Sequence, residues 1–562
     1  MIEGRKKFNL LAALIIALFT PIVLNAQPGT WATSIGGPLQ DYAEDVLADA
    51  AGNVYVCGNF RDTLDFGSGV SLAAAGATDV FLAKYDASGQ VAWARGYGWF
   101  ENEFSHSLGF DPAGNVVMVG EYQDSTIFTN DTIFSLDTLW YGPYAQTYDI
   151  FILRVDPNGN QVNVVADGWF GSENAYDVEI DDRGFVIFAG MFRTYNQWID
   201  VRGKGYDEIM LMVYDTAGDF TGQHGGGAFI DRAQEVEIVN DSNYILAGVF
   251  QDTCYFKDST VFLVTDFNDD AFVAYYDDTL ALSWVKQIGG PGTEIIGAME
   301  TDASGNIYVA GTFSDTLSYP GGTLASNGEL DGFVIKMDLS GNVAWAQNIG
   351  DQGFDGIRDL ELNPVTGDLL VVGYFQGSLT LANLSATGID SVDQEAYLLS
   401  VSPQGAYNWL RSGGGNSLDA GVAVSHEPNG FAYVLGTFNA TATFSQASLV
   451  SNGSEDLFLL RVRSDGAVSA APEYITELGE LIAYPNPARD EFSLQFSLER
   501  PARVRATLLD LQGRTVRVLG AERRLSGGMH TLTGTLFGVP AGMYLYRVEF
   551  NGQAQTGKLI IH

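Results

Sequence analysis

The sequence predicts an all-β chain in two parts, a seven-bladed β-propeller followed by a small Greek-key or immunoglobulin-like β-sandwich. Three observations support this prediction. A hydrophobic run that ends in glycine, one variable residue and an aromatic residue occurs seven times. Short β-rich segments separated by Asp, Asn and Gly turns are typical of hairpins. A different set of strand-like motifs follows the last copy.

The seven copies are marked by the glycines Gly58, Gly120, Gly190, Gly248, Gly311, Gly373 and Gly436. A spacing of roughly sixty residues indicates one supersecondary unit copied side by side. In the first copy we expect strands over residues 41–48, 54–60, 79–85 and 90–96. The glycine and the aromatic residue share one face of the second strand, so a neighbouring sheet is expected to pack closely there. Sheets this small cannot bury both faces alone, which favours a propeller.

The two ends of the array predict how the ring closes. Residues 467–471, at the end of the last copy, lack the tryptophan found in several fourth strands. Residues 30–37 form an extra fourth-strand copy that precedes the first complete unit. If this strand joins the last sheet, it closes the ring and covers a free sheet edge. We therefore expect the propeller to span residues 27–471.

The repeated stretch D-x-x-G-N-x-Y-V-x-G-x-F, seen in residues 49–60, resembles the bacterial β-propeller-repeat (SBBP-type) proteins. The resemblance covers residues 27–471 and implies the propeller fold. It does not indicate an activity, because one propeller fold supports many unrelated functions.

The pattern changes after residue 471. Residues 472–483 are expected to form a linker, and residues 484–562 contain Tyr484-Pro-Asn-Pro487 and alternating strands. These motifs look like the type A C-terminal sorting domain of the type IX secretion system. The resemblance implies that the type IX secretion machinery is a partner, and that outer-membrane translocation is followed by cleavage and release or surface attachment. The implied recognition residues are Pro540, Gly542, Tyr544, Lys558, Leu559, Ile560 and Ile561.

The N-terminal segment, residues 1–26, reads as a signal peptide. Arg5, Lys6 and Lys7 precede an apolar run over residues 8–24, which is too short and wrongly flanked for a lasting membrane span. No second long apolar stretch occurs, so we expect no transmembrane segment in the mature chain. The expected location is secreted or cell-surface attached, reached through the periplasm.

Composition excludes several classes of function. The formal net charge is −40, and such a surface repels nucleic acid and anionic membranes while suiting cations, basic partners or salty surroundings. Cys57 and Cys254 are the only cysteines, which excludes a disulfide scaffold. We expect Cys57 to be buried and Cys254 to lie in a loop.

The most regular polar signal is a carboxylate 17 or 18 residues before each repeat glycine. One interpretation is a cation or polar-ligand site around the channel mouth, with calcium as the candidate cofactor. The other is that each carboxylate accepts hydrogen bonds from its own Gly-rich linker. We favour the second, because seven carboxylates around one unoccupied centre could not all stay ionised. The residues are Asp41, Glu103, Glu173, Asp231, Glu294, Asp355 and Asp419.

No established catalytic signature is present. The sequence lacks HExxH, GxSxG and P-loop motifs, and Asp86 to Trp93 departs from the sialidase Asp-box. His106, His224 and His426 occupy unequal positions in their copies, so we expect surface or loop positions for them. Residues 124–147, the longest irregular loop, are the best candidate for a specific binding surface.

The sequence leaves three hypotheses for function. The first is an exported, non-enzymatic propeller that binds an unknown extracellular protein or glycan, or acts as an adhesion or scaffold module. The alternative is a polysaccharide hydrolase or lyase with its site at the channel mouth, which a cluster of His, Tyr and Arg side chains there would favour. The third is that the acidity only maintains solubility in salt.

Overall fold

The computed structural model describes residues 30–129, 131–135, 147–168, 171–194, 207–216, 218–227, 229–240, 242–256, 261–265, 268–389, 391–444, 447–465, 482–489, 491–498, 502–509, 514–525, 528–550 and 553–562. The chain divides into two compact units, one within residues 1–467 and one within residues 468–562. All regular secondary structure among the described residues is β-strand. A search of those residues finds no helix long and apolar enough to cross a membrane.

The first unit contains seven repeated antiparallel arrangements of strands, called sheets 1 to 7 here. In sheets 1 to 6 the strands lie side by side in chain order, and in sheet 7 the N-terminal strand takes the fourth place. The strands are, for sheet 1, Tyr42–Ala48, Val54–Phe60, Asp79–Tyr85 and Val91–Tyr97; for sheet 2, Glu103–Phe110, Val116–Gln123, Tyr148–Val155 and Gln161–Asp167; for sheet 3, Gly171–Ile180, Val186–Thr194, Glu208–Tyr214 and Phe220–Gly225; for sheet 4, Asp231–Val239, Asn243–Phe250, Asp270–Tyr276 and Leu282–Ile288. They are, for sheet 5, Glu294–Thr301, Ile307–Phe313, Asp331–Met337 and Val343–Ile349; for sheet 6, Gly356–Leu362, Leu369–Gln376, Gln394–Val401 and Tyr407–Gly415; for sheet 7, Ala420–Glu427, Phe431–Phe444 and Ala447–Arg463, completed by Trp31–Ile35.

The N-terminal strand occupies the fourth position of sheet 7. Trp31–Ile35 pairs antiparallel with Ala447–Arg463, and Trp31 lies opposite Arg461. The Trp31 indole also donates to the Ala87 carbonyl of sheet 1 at 3.1 Å. Residues 467–471, the expected end of the last copy, lie outside the described residues.

The first strands of the seven sheets form a ring. Each contacts the first strands of the sheets before and after it, and the first strand of sheet 7 contacts that of sheet 1. Each of these strands also contains a register shift at the same place, for example between Ala43 and Asp45 and between Ser105 and Ser107. A β-bulge of this kind turns one extra side chain away from the regular alternation.

The repeated glycine of the second strand is required because of neighbours in its own sheet, and not because a neighbouring sheet packs there as expected. A Cβ on Gly120 would overlap the Phe104 carbonyl oxygen of the adjacent first strand and lie 2.7 Å from the Phe151 ring of the third strand. Gly58 meets the equivalent pair, Tyr42 and Phe81. The glycine therefore admits a ring from its own sheet, and the expectation of a neighbouring sheet at this position was wrong.

Short hairpins connect the second and third strands in several sheets. In sheet 1 the hairpin pairs strand Thr63–Asp65 with strand Ser71–Ala73. In sheet 4 it pairs strand Thr253–Phe256 with strand Val261–Val264. Cys254 is buried in the second of these hairpins, so its expected loop position was wrong. Both cysteines are free and buried. Of the loop over residues 124–147, residues 130 and 136–146 lie outside the described residues; the hairpin strands are Ser125–Phe128 and Asp131–Phe134.

The second unit contains a three-stranded and a four-stranded antiparallel sheet that contribute to one hydrophobic core. Phe492 and Leu494 from the first sheet and Val504 and Val548 from the second are buried in that core. The strands are Ile482–Tyr484, Glu491–Leu498 and Gly528–Thr535 in one sheet, and Ala502–Leu509, Thr515–Leu525, Gly542–Phe550 and Gln553–Ile561 in the other.

Candidate functional site

The seven carboxylates singled out in the sequence, called the junction carboxylates here, lie between neighbouring sheets. All are 0–1% exposed, so they do not line an open channel mouth. Six of them lie close enough to a carboxylate of the preceding sheet's third strand for the two charges to interact. The seventh, Glu173, and its counterpart Asp149 both raise the pKa of the Tyr122 hydroxyl. The six pairs are Asp41 with Asp456, Glu103 with Asp79, Asp231 with Glu208, Glu294 with Asp270, Asp355 with Asp331, and Asp419 with Glu395.

Several junction carboxylates accept hydrogen bonds from the linker that precedes their own strand. The Gly37 amide donates to Asp41 at 2.8 Å, and the Gly415 amide donates to Asp419 at 2.6 Å. The corresponding bonds to Asp231, Asp355 and Glu103 measure 2.5, 2.6 and 3.4 Å. In these five copies the carboxylate therefore stabilises the backbone of its own linker.

Burial and a neighbouring carboxylate raise the pKa of the junction carboxylates. Burial is the larger cause, and it raises the pKa of Glu103 and of Glu294 to about 8 and that of Asp41 to about 7. Among the described residues neither carboxylate oxygen of Glu294 has a donor within hydrogen-bonding geometry, although the Gly290 amide lies near enough to lower its pKa slightly. An ionised carboxylate only accepts hydrogen bonds, so Glu294 and Asp270 can bond to one another only when a proton lies between them.

The first strands also carry a set of carboxylates that the sequence did not single out. The upper tier follows the bulge directly and consists of Asp45, Asp177, Glu235 and Asp359. The lower tier consists of Glu179, Glu237, Glu300 and Glu361. All eight side chains are partly exposed, and carboxylates of opposite sheets act on one another, as Glu179 does on Glu361. The two tiers therefore line a common central channel.

Burial is the largest cause that raises the pKa values of these carboxylates, and repulsion by other channel carboxylates adds to it at residues such as Glu235 and Glu300. The pKa of Asp45 rises to about 7, and those of Glu235, Glu237 and Glu300 rise well above their ordinary value. In the described part of the chain, no Lys or Arg forms an ion pair with any of the eight. Part of this wall is therefore protonated at neutral pH, and a cation that enters the channel favours ionisation of these carboxyl groups.

The upper tier also ties neighbouring sheets together. The Leu108 amide donates to Asp45 at 2.7 Å, the Val236 amide to Asp177 at 2.8 Å and the Val424 amide to Asp359 at 2.7 Å. Each bond joins a first strand to the first strand of the next sheet. These backbone bonds fix the carboxylates in place at the channel wall.

One end of the channel opens into an acidic cavity. A cavity of about 480 Å³ is lined by Glu179, Asp181, Asp182 and Asp302, among others, at the turns that follow the first strands of sheets 3 and 5. Across the described ranges, no group of three or more His, Cys, Asp or Glu side chains is placed to hold a metal ion. The channel carboxylates are therefore spread out along the wall and not gathered around one point.

The bulge residues of the seven first strands form a second set, called the mouth ring here. In chain order they are Glu44, His106, Tyr176, Gln234, Gly297, Arg358 and Val422. Bulges often occur next to functional sites because they re-aim a side chain. The identities differ in every copy, in contrast to the repeated residues around them.

Three consecutive members of the mouth ring contact one another. His106 Nε2 lies 2.6 Å from Glu121 Oε2, and His106 Nδ1 lies 4.0 Å from Glu44 Oε2. Asn59 donates to Glu44 at 2.7 Å and holds it in place. Tyr176 packs edge-on to the His106 ring with a centroid distance of 5.4 Å.

In this cluster a protonated imidazole, His106, lies beside the carboxylate of Glu121. Burial lowers the pKa of His106, but the Glu121 carboxylate more than offsets this and raises it to about 9. Burial raises the pKa of Glu44 to about 7. Arg232 lies close enough to Tyr176 to lower the pKa of its hydroxyl, although burial dominates and raises it to about 12. His106 is thus cationic at neutral pH, Tyr176 is neutral, and Glu44 can gain or lose a proton.

The histidine expectations were wrong for two of three residues. His106 and His426 both lie on first strands, and His426 is 7% exposed. His224 is exposed on the fourth strand of sheet 3. The mouth ring could have been found in the sequence, because each member lies 14 or 15 residues before a repeat glycine.

The proposed recognition residues of the second unit lie at its C-terminal strand pair. Tyr544 donates to the Pro540 carbonyl at 2.9 Å, and Gly542 lies opposite Ile561. Leu559 and Ile561 are buried, whereas Lys558 and Ile560 are exposed.

Comparison with known proteins identifies the class of domain to which the second unit belongs. Residues 482–562 match the Por_Secre_tail family model, described as a secretion system C-terminal sorting domain. The protein is therefore secreted and directed to the cell surface through the type IX secretion machinery.

This chain also has distant relatives. It is similar to the regulatory protein FlaEY of Caulobacter vibrioides, with 25% identity over 465 residues that cover 75% of this chain and 46% of that protein. It is also similar to an uncharacterized WD repeat-containing protein of Acanthamoeba polyphaga mimivirus, with 20% identity over 516 residues, 73% of this chain and 36% of that protein. The chain spans less than half the length of each.

Solved structures with propeller-like folds are similar at low identity. A putative gluconolactonase aligns with a TM-score of 0.29 and 11% identity, covering 62% of this chain and 90% of that one. A mutant of Synechocystis apocarotenoid oxygenase aligns with a TM-score of 0.36 and 9% identity, covering 78% and 94%. The parainfluenza virus 5 hemagglutinin-neuraminidase ectodomain aligns with a TM-score of 0.31 and 9% identity, covering 78% and 83%.

Proposed function

We propose that this protein is an exported, non-enzymatic binding module whose central channel takes a cationic extracellular ligand. In this proposal the seven sheets are the blades of one closed propeller, and the sorting domain is a Greek-key sandwich. The observation that carries the proposal is the channel wall, where eight carboxylates face one another without a Lys or Arg partner among the described residues.

The spacing of the carboxylates favours an extended ligand over a single ion. Residues two apart on a strand rise by about 6.6 Å, so the two tiers present charges at successive depths. No three acidic or histidine side chains of the described residues close around one point. A linear polyamine or a basic peptide segment fits this arrangement, because its charges are spread along a chain.

Isothermal titration calorimetry of the mature protein with spermine tests the proposal. We expect binding that weakens as salt rises, because the attraction is electrostatic. The double variant Glu237→Gln/Glu300→Gln removes two lower-tier carboxyl groups that can ionise when the cation enters, and it is expected to weaken binding at least tenfold. Glu101→Gln/Asp278→Asn removes two exposed carboxylates and is the matched control. Equal affinities for the two double variants, or no binding of spermine to the wild type, would contradict the proposal.

A second candidate function is supported by the mouth ring. A polysaccharide hydrolase or lyase needs acid–base groups at the channel mouth, and His106, Tyr176 and Arg232 form such a cluster beside Glu44. The test is the release of reducing ends from a panel of soluble polysaccharides. Turnover by the wild type that Glu44→Gln and His106→Gln both abolish would establish the enzyme and replace the non-enzymatic proposal.

A further inference from the structure

A cleft between sheets 6 and 7 differs from the other sheet junctions. It has a volume of about 480 Å³ and is lined by Asn363, Asn408, Trp409, His426 and Arg463, among others. Volumes of this order are typical of small-molecule sites. The cleft lies where the turn after the first strand of sheet 6 is one residue longer than in the other copies.

Tryptophans on fourth strands normally close the junction to the next sheet. The indole N–H of Trp93 donates to the Pro157 carbonyl at 3.2 Å, and that of Trp345 donates to Pro403 at 3.0 Å. Trp284 and Trp31 make the same bond at 2.9 and 3.1 Å.

Trp409 occupies the corresponding position in sheet 6 without such a bond. Within the described residues its indole N–H has no acceptor, and its ring contacts the Arg411 guanidinium at 5.1 Å. Part of the ring remains open to the cleft. At this junction the indole ring and its N–H group therefore face the cleft. At the four other junctions with this tryptophan the indole N–H is bonded to a carbonyl of the next sheet.

His426 provides the second departure from the repeat. Its position holds Ala48, Phe110, Ile180, Ile238 and Leu362 in five copies and Thr301 in the sixth, so an apolar residue is usual there and an imidazole is not. His426 is 7% exposed, and neither of its ring nitrogens has a hydrogen-bond partner among the residues that the structure describes. A buried polar group without a partner destabilises the free protein, so a residue of this kind in a cleft needs a separate reason.

The chemistry of the lining favours a neutral ligand rich in hydroxyl groups. Burial lowers the pKa of His426, so the ring is neutral at neutral pH and offers one donor and one acceptor. Asn363 and Asn408 offer amide donors and acceptors, which also suit hydroxyls. Arg463, the basic residue among the described residues that line the cleft, is paired with Asp465, which weakens its attraction for an anionic ligand.

We propose that this cleft binds a neutral sugar ring of an extracellular glycan, with Trp409 beneath the ring and His426 bonded to its hydroxyls. The site is separate from the central channel and does not depend on cation binding there. It gives the exported module a second specificity, for a carbohydrate surface.

Two variants test the cleft. His426→Leu introduces the residue found at Leu362 in the neighbouring copy and is expected to fold with a melting temperature at or above that of the wild type. Trp409→Ala removes the aromatic surface. His224→Leu, at an exposed histidine, is the matched control.

The assay is binding of the mature proteins to an array of neutral, amino and acidic glycans, followed by calorimetry with the neutral oligosaccharide bound best. We expect a neutral glycan to bind the wild type and the control equally, and both cleft variants to bind at least tenfold more weakly. Spermine binding should be unchanged in all of them. Absence of neutral-glycan binding, or equal binding by His426→Leu, would overturn the proposal. A large loss of stability in His426→Leu would also overturn it, because it would show a structural role.

Discussion

Replacing Glu294 with glutamine should stabilise the propeller unit in alkaline solution and leave it nearly unchanged in acid. Glu294 is 0% exposed and lies beside Asp270 at the junction of sheets 4 and 5. Burial, and then the Asp270 charge, raise its pKa from 4.5 to about 8. Below pH 4.5 the carboxyl is protonated in both the folded and the unfolded chain. Between pH 4.5 and 8 only the unfolded chain ionises, so stability falls as pH rises across this window.

The magnitude follows from the size of that pKa shift. One pKa unit corresponds to about 1.4 kcal/mol, so the folded state would lose up to about 5 kcal/mol from this one group above pH 8. Relaxation and residual solvent screening reduce the effect, and we expect about 2 kcal/mol. Glutamine carries no charge and can donate to Asp270, so it removes this cost.

The assay is thermal unfolding of the mature protein at about pH 5 and pH 8.5 with a chelator present, which prevents metal ions from compensating the charge. We expect the wild type to melt lower at the higher pH, and Glu294→Gln to recover a few degrees there only. Glu101→Gln, at an exposed position, should follow the wild type. A wild type that becomes more stable with rising pH, or a variant destabilised equally at both, would refute the reasoning.

Three further predictions concern the fold and the junctions. Trp31→Ala should lower stability by about 3 kcal/mol, as measured by denaturant unfolding, because it removes the closing contact with Ala87 and Tyr433; no change would argue against closure by this strand. Gly120→Ala should cost about 3 kcal/mol or more through overlap with the Phe104 carbonyl, whereas Gly96→Ala, whose Cβ would meet its nearest neighbour at 3.5 Å, should cost less than about 1 kcal/mol. Millimolar calcium should leave the melting temperature of the wild type unchanged, because junction carboxylates such as Asp41 and Asp419 bond to their own linkers and no three acidic side chains of the described residues, in the channel or elsewhere, are placed to hold one metal ion; a rise that Glu294→Gln abolishes would instead support a cation at the junctions.

The repeated features of the fold could be predicted from the sequence because they are local. A glycine and an aromatic residue two apart, with Asp-Gly turns on either side, specify a strand and its hairpin wherever they occur. The closing strand was predictable because Thr30–Gly37 duplicates a fourth strand. The structural reason for the repeated glycine could not be predicted in this way. The aromatic ring that covers Gly58 belongs to Phe81, which lies on a strand that does not follow directly in the sequence.

The candidate sites were missed because they lie in the residues that vary between copies. Glu44 and His106, and likewise His106 and Tyr176, are separated by more than sixty residues in the sequence. Only the ring of first strands brings them together. The bulge that turns them inward can hold any residue type, so it leaves no compositional signal. His426 looked like a surface residue because its burial depends on packing between sheets 6 and 7.

Cation binding in the central channel is tested most directly by counting the protons released when spermine binds. A cation that enters a channel of carboxylates with raised pKa values must displace protons from them. Calorimetry near neutral pH in two buffers of different ionisation enthalpy measures that number. The proposal predicts release of at least about one proton per spermine and an affinity that rises from about pH 6 to pH 7.5. Binding without proton release and with an affinity independent of pH would contradict it.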